Sequence, residues 1–495
     1  MLTLASQGPI GPRLGRHALA LAYAGVLLFA LTIRLINIDR APLWTDELFT
    51  LTYPKLGLQT MWTEGMSIEP TSPLYYSLIW LIQHLGGSSA FWLRLPSIVG
   101  SVAAVALTWA IGRELSGRQT PALIASAIFA AAPESVFFAQ EARSYALQTA
   151  ALALALFGFA QFLRRPDKVR PLTLYAVGAV LAVYLHPTST IAIMAFNAMA
   201  LAATIGTRRL LSRAYLLRWC LANLVVAVVA APLVSTLISP KAGAAVTWIP
   251  EISRWWLEKL AGLFLAGPEM SSQAMRIAEI GVPAIALLII ASGWRPNRRT
   301  LLVVVGVPCV FLAAMVAISI KRPVLLDRTI FWLWVPLAVV LGEALSGRLR
   351  AVSVVVLAAL LSTMTMQQMH AGQLKEDWRF LGHLPPLPPS ALVIFGPRTP
   401  PAALKLYAPN LVRLEQGSDG TQPVAETIVS ERAFKLPKIS LVDARRAIAS
   451  GEPVFLIYRQ ADHLWASAVT ASLDRPRIAL QDTPGATPSV RALVW

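Results

Sequence analysis

Between residues 18 and 367 the chain repeats one pattern, an apolar run followed by a short basic segment and then another apolar run. A run of about 20 residues matches a hydrocarbon core about 30 Å thick, and a backbone inside hydrocarbon must satisfy its own hydrogen bonds, so such runs predict helices. They fall near 18–38, 95–112, 119–138, 145–163, 171–185, 187–206, 217–238, 277–293, 301–320, 329–346 and 350–367. The expected architecture is a mainly α, polytopic membrane protein with about eleven spans. A composition of 56% hydrophobic and 14% charged residues excludes an ordinary water-soluble domain.

The net charge of +17 would suggest a nucleic-acid partner in a soluble protein. Here the bases cluster between apolar runs, where they act as orientation signals, so no nucleic-acid role is expected. Cys220 and Cys309 lie in or beside such runs without ligand spacing and read as small buried hydrophobes. The N-terminus shows no signal-peptide cleavage site, and its first apolar run begins only after Arg13 and Arg16, so it reads as a retained span.

"SPLYYSLIWLIQHLGG" (72–87) is apolar but short, and charge parity decides its placement. If it lies in the interface, the cytoplasmic segments hold seventeen Lys or Arg against two acids, Glu114 and Asp167. If it spans, every later loop flips and "RRPDKVR" lands outside, against the positive-inside rule. The interfacial placement gives a long first outer loop (39–95) with interfacial helices, a second outer turn holding "PESVFFAQEARSYA", and a third (239–276) holding Trp248, Trp255 and Trp256 as an interfacial belt. The membrane domain takes residues 1–371. Beyond it, the Pro-rich "LPPLPPS" precedes strand-like "ALVIFG", helical "SLVDARRAIASGE" and strand-like "PVFLIYRQ", which predicts a small C-terminal α/β outer domain over 372–495.

The outer segments carry the polar chemistry. "PLWTDELFT" (42–50) sets Asp46 and Glu47 at the headgroup level, and adjacent acids point apart on a helix or strand, so they suit two jobs rather than one. With it come "EPTSPLYY", "AQEARSYAL", "YLHPTS", "LLDRTIFWLWVP" and "KEDWRFLGHL", all on one side under the charge-derived topology. In these motifs, above all W-x-D-E after the first span and "QEAR-x-YAL" before the fourth, residues 18 to about 385 resemble the glycosyltransferase family of the protein O-mannosyltransferases, the aminoarabinose transferase of lipid A and the rhizobial lipopolysaccharide galacturonosyltransferases. The resemblance implies the GT-C membrane fold, Asp46 as catalytic base with Glu47 beside it, Glu141 and Arg143 in the second loop, and Arg328 near a donor phosphate. The family usually reads His-Pro-Pro-Leu-Tyr-Tyr where this chain has Thr71, Ser72, Pro73, Leu74, Tyr75 and Tyr76, and Arg-Tyr where it has Arg328 and Thr329. These departures bear on the sugar and acceptor contacts.

The chemistry of such a transfer suits these residues. A sugar on a polyprenyl phosphate is already activated, so one base at the acceptor hydroxyl and cations at the leaving phosphate suffice, and a single displacement inverts the anomeric centre. Candidate phosphate ligands are Arg143, Arg328, Lys321 and Arg322, Arg offering a bidentate fork. Snorkelling at a span end accounts equally for Lys321 and Arg322, and Arg328 has Asp327 beside it for a local ion pair. Tyr145, His186, Tyr75 and Tyr76 are candidates for shaping the site. No cofactor is certain; Glu47, Glu141 and His186 are the candidate ligands for a divalent cation such as Mg or Mn. Asp377, Trp378 and Arg379 fit interfacial anchoring as well as sugar contact.

The expected protein is an inner-membrane enzyme, its active site and C-terminal domain facing the periplasm, that moves a hexose or pentose from a polyprenyl phosphate to a lipid, glycan or protein hydroxyl. The rivals are a transporter or lipid flippase and a lipid-binding subunit. Transporters keep ionisable groups near the midplane of two related halves, a pattern not visible here.

Overall fold

The computed structural model describes residues 15–68, 73–205, 213–237, 249–268, 271–370, 376–383, 391–411, 413–418, 437–471, 473, 476, 478–481 and 490–495. Thr71, Ser72, Trp248 and the 384–390 linker lie outside them. The chain begins with α1 (Arg16–Leu35), followed in the first loop by the short helices α2 (Thr45–Thr52), α3 (Leu58–Trp62), α4 (Gly65–Ile68) and α5 (Pro73–Leu85). The bundle continues with α6 (Ala90–Ser116), α7 (Gln119–Ala131), α8 (Pro133–Ala139), α9 (Tyr145–Arg164), α10 (Val169–Leu185), α11 (Ser189–Thr204) and α12 (Arg213–Leu237). Then come α13 (Arg254–Ala266), α14 (Ala274–Ala291), α15 (Arg298–Ser319), α16 (Asp327–Leu345) and α17 (Arg350–His370).

Ten of the eleven apolar runs overlap a single helix, and the run 119–138 overlaps the pair α7 and α8. Seven helices are long and apolar enough to cross a membrane by length and composition, eight if the bent pair α7–α8 is one span, and α10, α11 and most of α17 are shorter apolar helices. With 13 residues, α5 is about 20 Å long at 1.5 Å per residue, short of the hydrocarbon thickness. The bend of 59° between α7 and α8 sits at Pro133, whose ring removes a helical donor. Arg34 of α1, fully buried, compensates there by donating to the Ala130 carbonyl (3.2 Å) and to Ser135 Oγ (2.6 Å). A π turn over Leu302–Gly306 in α15 precedes Pro308, which likewise lacks the N–H that would close the regular ladder.

The basic segments meet at one end of the bundle. Arg164 and Arg299 both reach Glu114 Oε1 (3.2 and 3.1 Å), Arg118 reaches Ser346, and Arg218 reaches the Pro166 carbonyl. Cys220 and Cys309, expected to be buried, are instead exposed on α12 and α15, where the outward face of a span meets lipid and not core. The expected Trp belt also splits: Trp255 is exposed under the Lys259 ammonium, while Trp256 is buried and donates to the Leu325 carbonyl at 3.1 Å.

The C-terminal unit is a six-stranded sheet of order β3-β2-β1-β4-β6-β5, formed by β1 (Leu392–Phe395), β2 (Arg413–Ser418), β3 (Lys438–Ser440), β4 (Val454–Arg459), β5 (Ile478–Gln481) and β6 (Val490–Val494). Four strands are parallel, with Leu392 opposite both Arg413 and Val454, and β6 and β5 add antiparallel. Its helices are α18 (Pro401–Tyr407), α19 (Leu441–Ala449) and α20 (His463–Thr470). The period of two along β1 decides its packing. Leu392 and Ile394 face α19 and α20, whereas Val393 and Phe395 join the core that runs on through α18 and Trp378 into the helical bundle. One face of the sheet is therefore continuous with the membrane part.

Candidate active site

The first turn of α2 starts from an extended Trp44 and presents Thr45, Asp46 and Glu47, acids that suit the positive end of the helix dipole. Successive helical residues are rotated by about 100°, and the two acids accordingly meet different partners. Glu47 is fully buried, and Arg94 of α6 grips it with both arms of its fork: Nε donates to Oε1 at 2.8 Å and Nη2 to Oε2 at 2.7 Å. The Ala142 N–H donates to the same Oε1 at 2.8 Å. Arg94 also donates to the carbonyls of Ile38, Ala41 and Pro42, so one buried arginine fastens the start of the first loop to α6.

Asp46 points the other way, its side chain 21% exposed, and its Oδ2 accepts from Arg328 Nη1 at 2.9 Å. Arg328, from the first turn of α16, thus pairs with Asp46 and not merely with its neighbour Asp327. Arg143, presented by the turn between α8 and α9, donates to the Asp46 carbonyl (3.3 Å) and the Tyr76 hydroxyl (3.2 Å). The Arg328 guanidinium lies 5.7 Å from the centre of the Tyr145 ring, which lies 5.7 Å from His186. His186 ends α10 and shares a 2.8 Å hydrogen bond between Nδ1 and Thr188 Oγ1.

Burial pushes the Asp46 carboxyl up, but the charges of Arg143, Arg328 and Arg459 together outweigh it and hold the group below the usual carboxylate range. Burial, reinforced by the same two arginines, takes His186 down to about 3, so its imidazole is neutral at ordinary pH. The arrangement places one ionised carboxylate against two cations at the end of the bundle away from Glu114. It can take a proton and it can hold an anion.

The other expected residues divide. Tyr75 and Tyr76 are buried in an edge-to-face pair with ring centres 5.7 Å apart, and Glu141 is buried where its charge acts on Arg94 and Tyr75. Lys321 is exposed and Arg322 half-buried in the turn before α16. Among the described residues no group of three His, Cys, Asp or Glu converges as a metal site, and Glu47, a candidate ligand, faces Arg94 instead. Sequence reasoning passed over Arg94, although a charge at the start of an apolar run is a signal in itself. It also passed over Glu376 and Arg459, whose 2.7 Å ion pair joins residues remote in the chain.

Residues 69–235 match the family described as dolichyl-phosphate-mannose-protein mannosyltransferase. No curated protein matches the chain by sequence. The crystal structure of ArnT from Cupriavidus metallidurans in the apo state is 13% identical, with 96% of this chain and 98% of that chain covered at a TM-score of 0.59. Its complex with undecaprenyl phosphate matches at the same identity and TM-score over 97% and 98%. The chain has the GT-C glycosyltransferase fold. The oligosaccharyltransferase of Archaeoglobus fulgidus, crystallised with Zn and sulfate, is a more distant likeness, at 11% identity and a TM-score of 0.51 over 95% of this chain and 72% of that one. The family match bears out the resemblance over residues 69–235, the shared fold agrees with it, and the long apolar helices make this a multi-pass membrane protein. Within the GT-C fold, the matched family segment runs from α5 to α12 and contains Tyr76, Arg94, Arg143, Tyr145 and His186. Asp46 and Arg328 lie outside it and are brought in by the fold.

Proposed function

We propose that this protein transfers a sugar from a polyprenyl-phosphate donor to a hydroxyl of a lipid, glycan or protein acceptor, with inversion, at the periplasmic face of the inner membrane. The observation that carries this reading is the Asp46 carboxylate, set against Arg328 at 2.9 Å and beside Arg143. Undecaprenyl phosphate bound to the ArnT of similar fold supports a polyprenyl donor.

In the resting site Asp46 and Arg328 neutralise each other. A donor phosphate competes for the guanidinium, and a phosphate oxygen suits its fork. Drawing Arg328 toward the phosphate loosens its hold on the carboxylate and makes Asp46 more basic when the acceptor is in place. The acceptor oxygen then attacks the anomeric carbon as Asp46 takes its proton, the bond from that carbon to the phosphate oxygen breaks, and the departing phosphate keeps the electron pair. Arg328 and Arg143 stabilise the charge that develops there. Glu47, committed to Arg94, holds the loop and leaves the proton to Asp46.

The test is turnover of a panel of labelled polyprenyl-phosphate sugars by the purified protein in lipid, wild type against Asp46→Asn. Wild type is expected to turn over one donor, and the mutant to bind it with transfer lowered by about 10²- to 10⁴-fold, the usual worth of a general base. Unimpaired transfer by the mutant would remove Asp46 from the chemistry. Binding of no donor by wild type would favour a transporter.

A further inference from the structure

Helix α2 lacks a cap of its own. Its N-cap residue is Trp44, which has no side-chain acceptor, and no side-chain cap bond forms locally. The first amides of a helix need acceptors from elsewhere, and here the acceptor comes from 331 residues further along the chain. Glu376, 9% exposed, takes the Thr45 N–H (3.3 Å) and the Thr45 hydroxyl on Oε2. Its other oxygen, Oε1, is paired with Arg459 Nη2 at 2.7 Å.

Arg459 ends β4 and is held by the sheet. Its N–H donates to Thr399 Oγ1 (3.3 Å), which donates to the buried Asp462 at 2.8 Å. Two further bonds tie the same stretch of loop to this unit. The Leu43 N–H donates to the Tyr407 hydroxyl (2.9 Å), and Arg379 donates to the Arg40 carbonyl (3.0 Å). The residues on either side of Trp44 are thus fixed from the C-terminal part of the chain, and Asp46 follows directly.

We propose that Glu376 and Arg459 are positioning residues that make the C-terminal unit part of the active site: they cap α2 from outside and set the Asp46 carboxylate where it meets Arg328. This rests on the reading of Asp46 as the base. Glu376 acts through Thr45, and Arg459 acts through Glu376 and, as a third cation, by its charge on the Asp46 carboxylate. Their loss misplaces the base without removing a donor contact.

The test uses full-length protein in lipid, with Arg459→Gln, Arg459→Lys and Glu376→Ala, and Arg413→Gln as a control at an exposed arginine of β2. In the polyprenyl-phosphate sugar assay Arg459→Gln is expected to lower kcat about tenfold, since small misplacements are costly, with donor KM changed less than about twofold. Arg459→Lys should restore most of kcat by renewing the ion pair. Hydrogen exchange of the amides at 45–50 should quicken about tenfold in Arg459→Gln and Glu376→Ala while α9 stays unchanged. Unaltered exchange at 45–50 would overturn the clamp, as would a loss confined to KM, which would make Arg459 a donor ligand. If Glu376→Ala fails to fold, Arg459→Gln decides alone. If wild type transfers from no donor, the transferase reading fails, and the clamp stands or falls on exchange.

Discussion

A single helical turn divides the work of two adjacent carboxylates. Glu47 is fully buried against Arg94, and an ion pair at that depth is expensive to break from one side, because the survivor is left as a buried charge. Asp46 and its partner Arg328 are both partly exposed, and in the proposed mechanism an anion draws Arg328 away. This difference predicts two acid limbs in the pH dependence of transfer. Free enzyme governs kcat/KM, and there Asp46 sits below the usual carboxylate range because Arg143, Arg328 and Arg459 together overcome its burial. A base is lost as pH falls through its pKa, so kcat/KM should stay level down to about pH 4, the ordinary Asp value. On the proposed mechanism the donor phosphate shares Arg328, so the acid limb of kcat should lie at higher pH. Coincident limbs in the two profiles would show that the donor leaves the pair intact. That two acids stood here at the headgroup level was legible in the sequence. Which of them is bound to structure was not, because the deciding partners, Arg94 and Arg328, lie 47 and 282 residues away.

At the scale of helices, contact is decided by small residues. A Cβ on Gly158 of α9 would come within 2.4 Å of the Tyr175 backbone nitrogen in α10, and one on Gly178 of α10 within 2.5 Å of the Ala155 nitrogen in α9. Each helix thus lends the other a glycine, the close backbone approach by which spans associate where lipid offers no hydrophobic drive. Gly158→Ala must push two rigid helices apart and should destabilise by about 1–3 kcal/mol. Gly25 in α1 has nothing within 4 Å of the same position, so Gly25→Ala should be neutral or slightly stabilising, since Ala is the better helix former by about 0.5–1 kcal/mol. Thermal midpoints in detergent check the pair: a lowered midpoint for Gly158→Ala with Gly25→Ala level or raised is expected, and equal midpoints would contradict the packing. The long apolar helices were legible because hydrocarbon imposes a length on a span. Their neighbours were not, since glycines in apolar runs look alike until the fold shows which of them meets a backbone. The strands of "ALVIFG" and "PVFLIYRQ" were legible for the same local reason, while their adjacency in the sheet was not.

For the whole molecule, charge and chemistry separate along the bundle. Helix α6 begins at the buried Arg94 pair and ends near Glu114, where Arg164 and Arg299 converge, and at 1.5 Å per residue its 27 residues cover about 40 Å. Asp46, Arg143, His186 and Arg328 gather at the first end, and the C-terminal sheet shares its core and its hydrogen bonds with that same end. The basic end is the one the positive-inside rule assigns to the cytoplasm, and 13-residue α5, too short to cross, leaves that parity intact. A reporter fused after Gly117 should therefore read as cytoplasmic, and reporters after Glu141 and after Trp495 as external. The reverse at all three sites would turn the molecule over and place Asp46 in the cytoplasm, where a donor displayed on the outer leaflet could not reach it. An external Glu141 with a cytoplasmic Trp495 would break the continuity of core between sheet and bundle, and with it the route by which Glu376 and Arg459 reach the helix of Asp46.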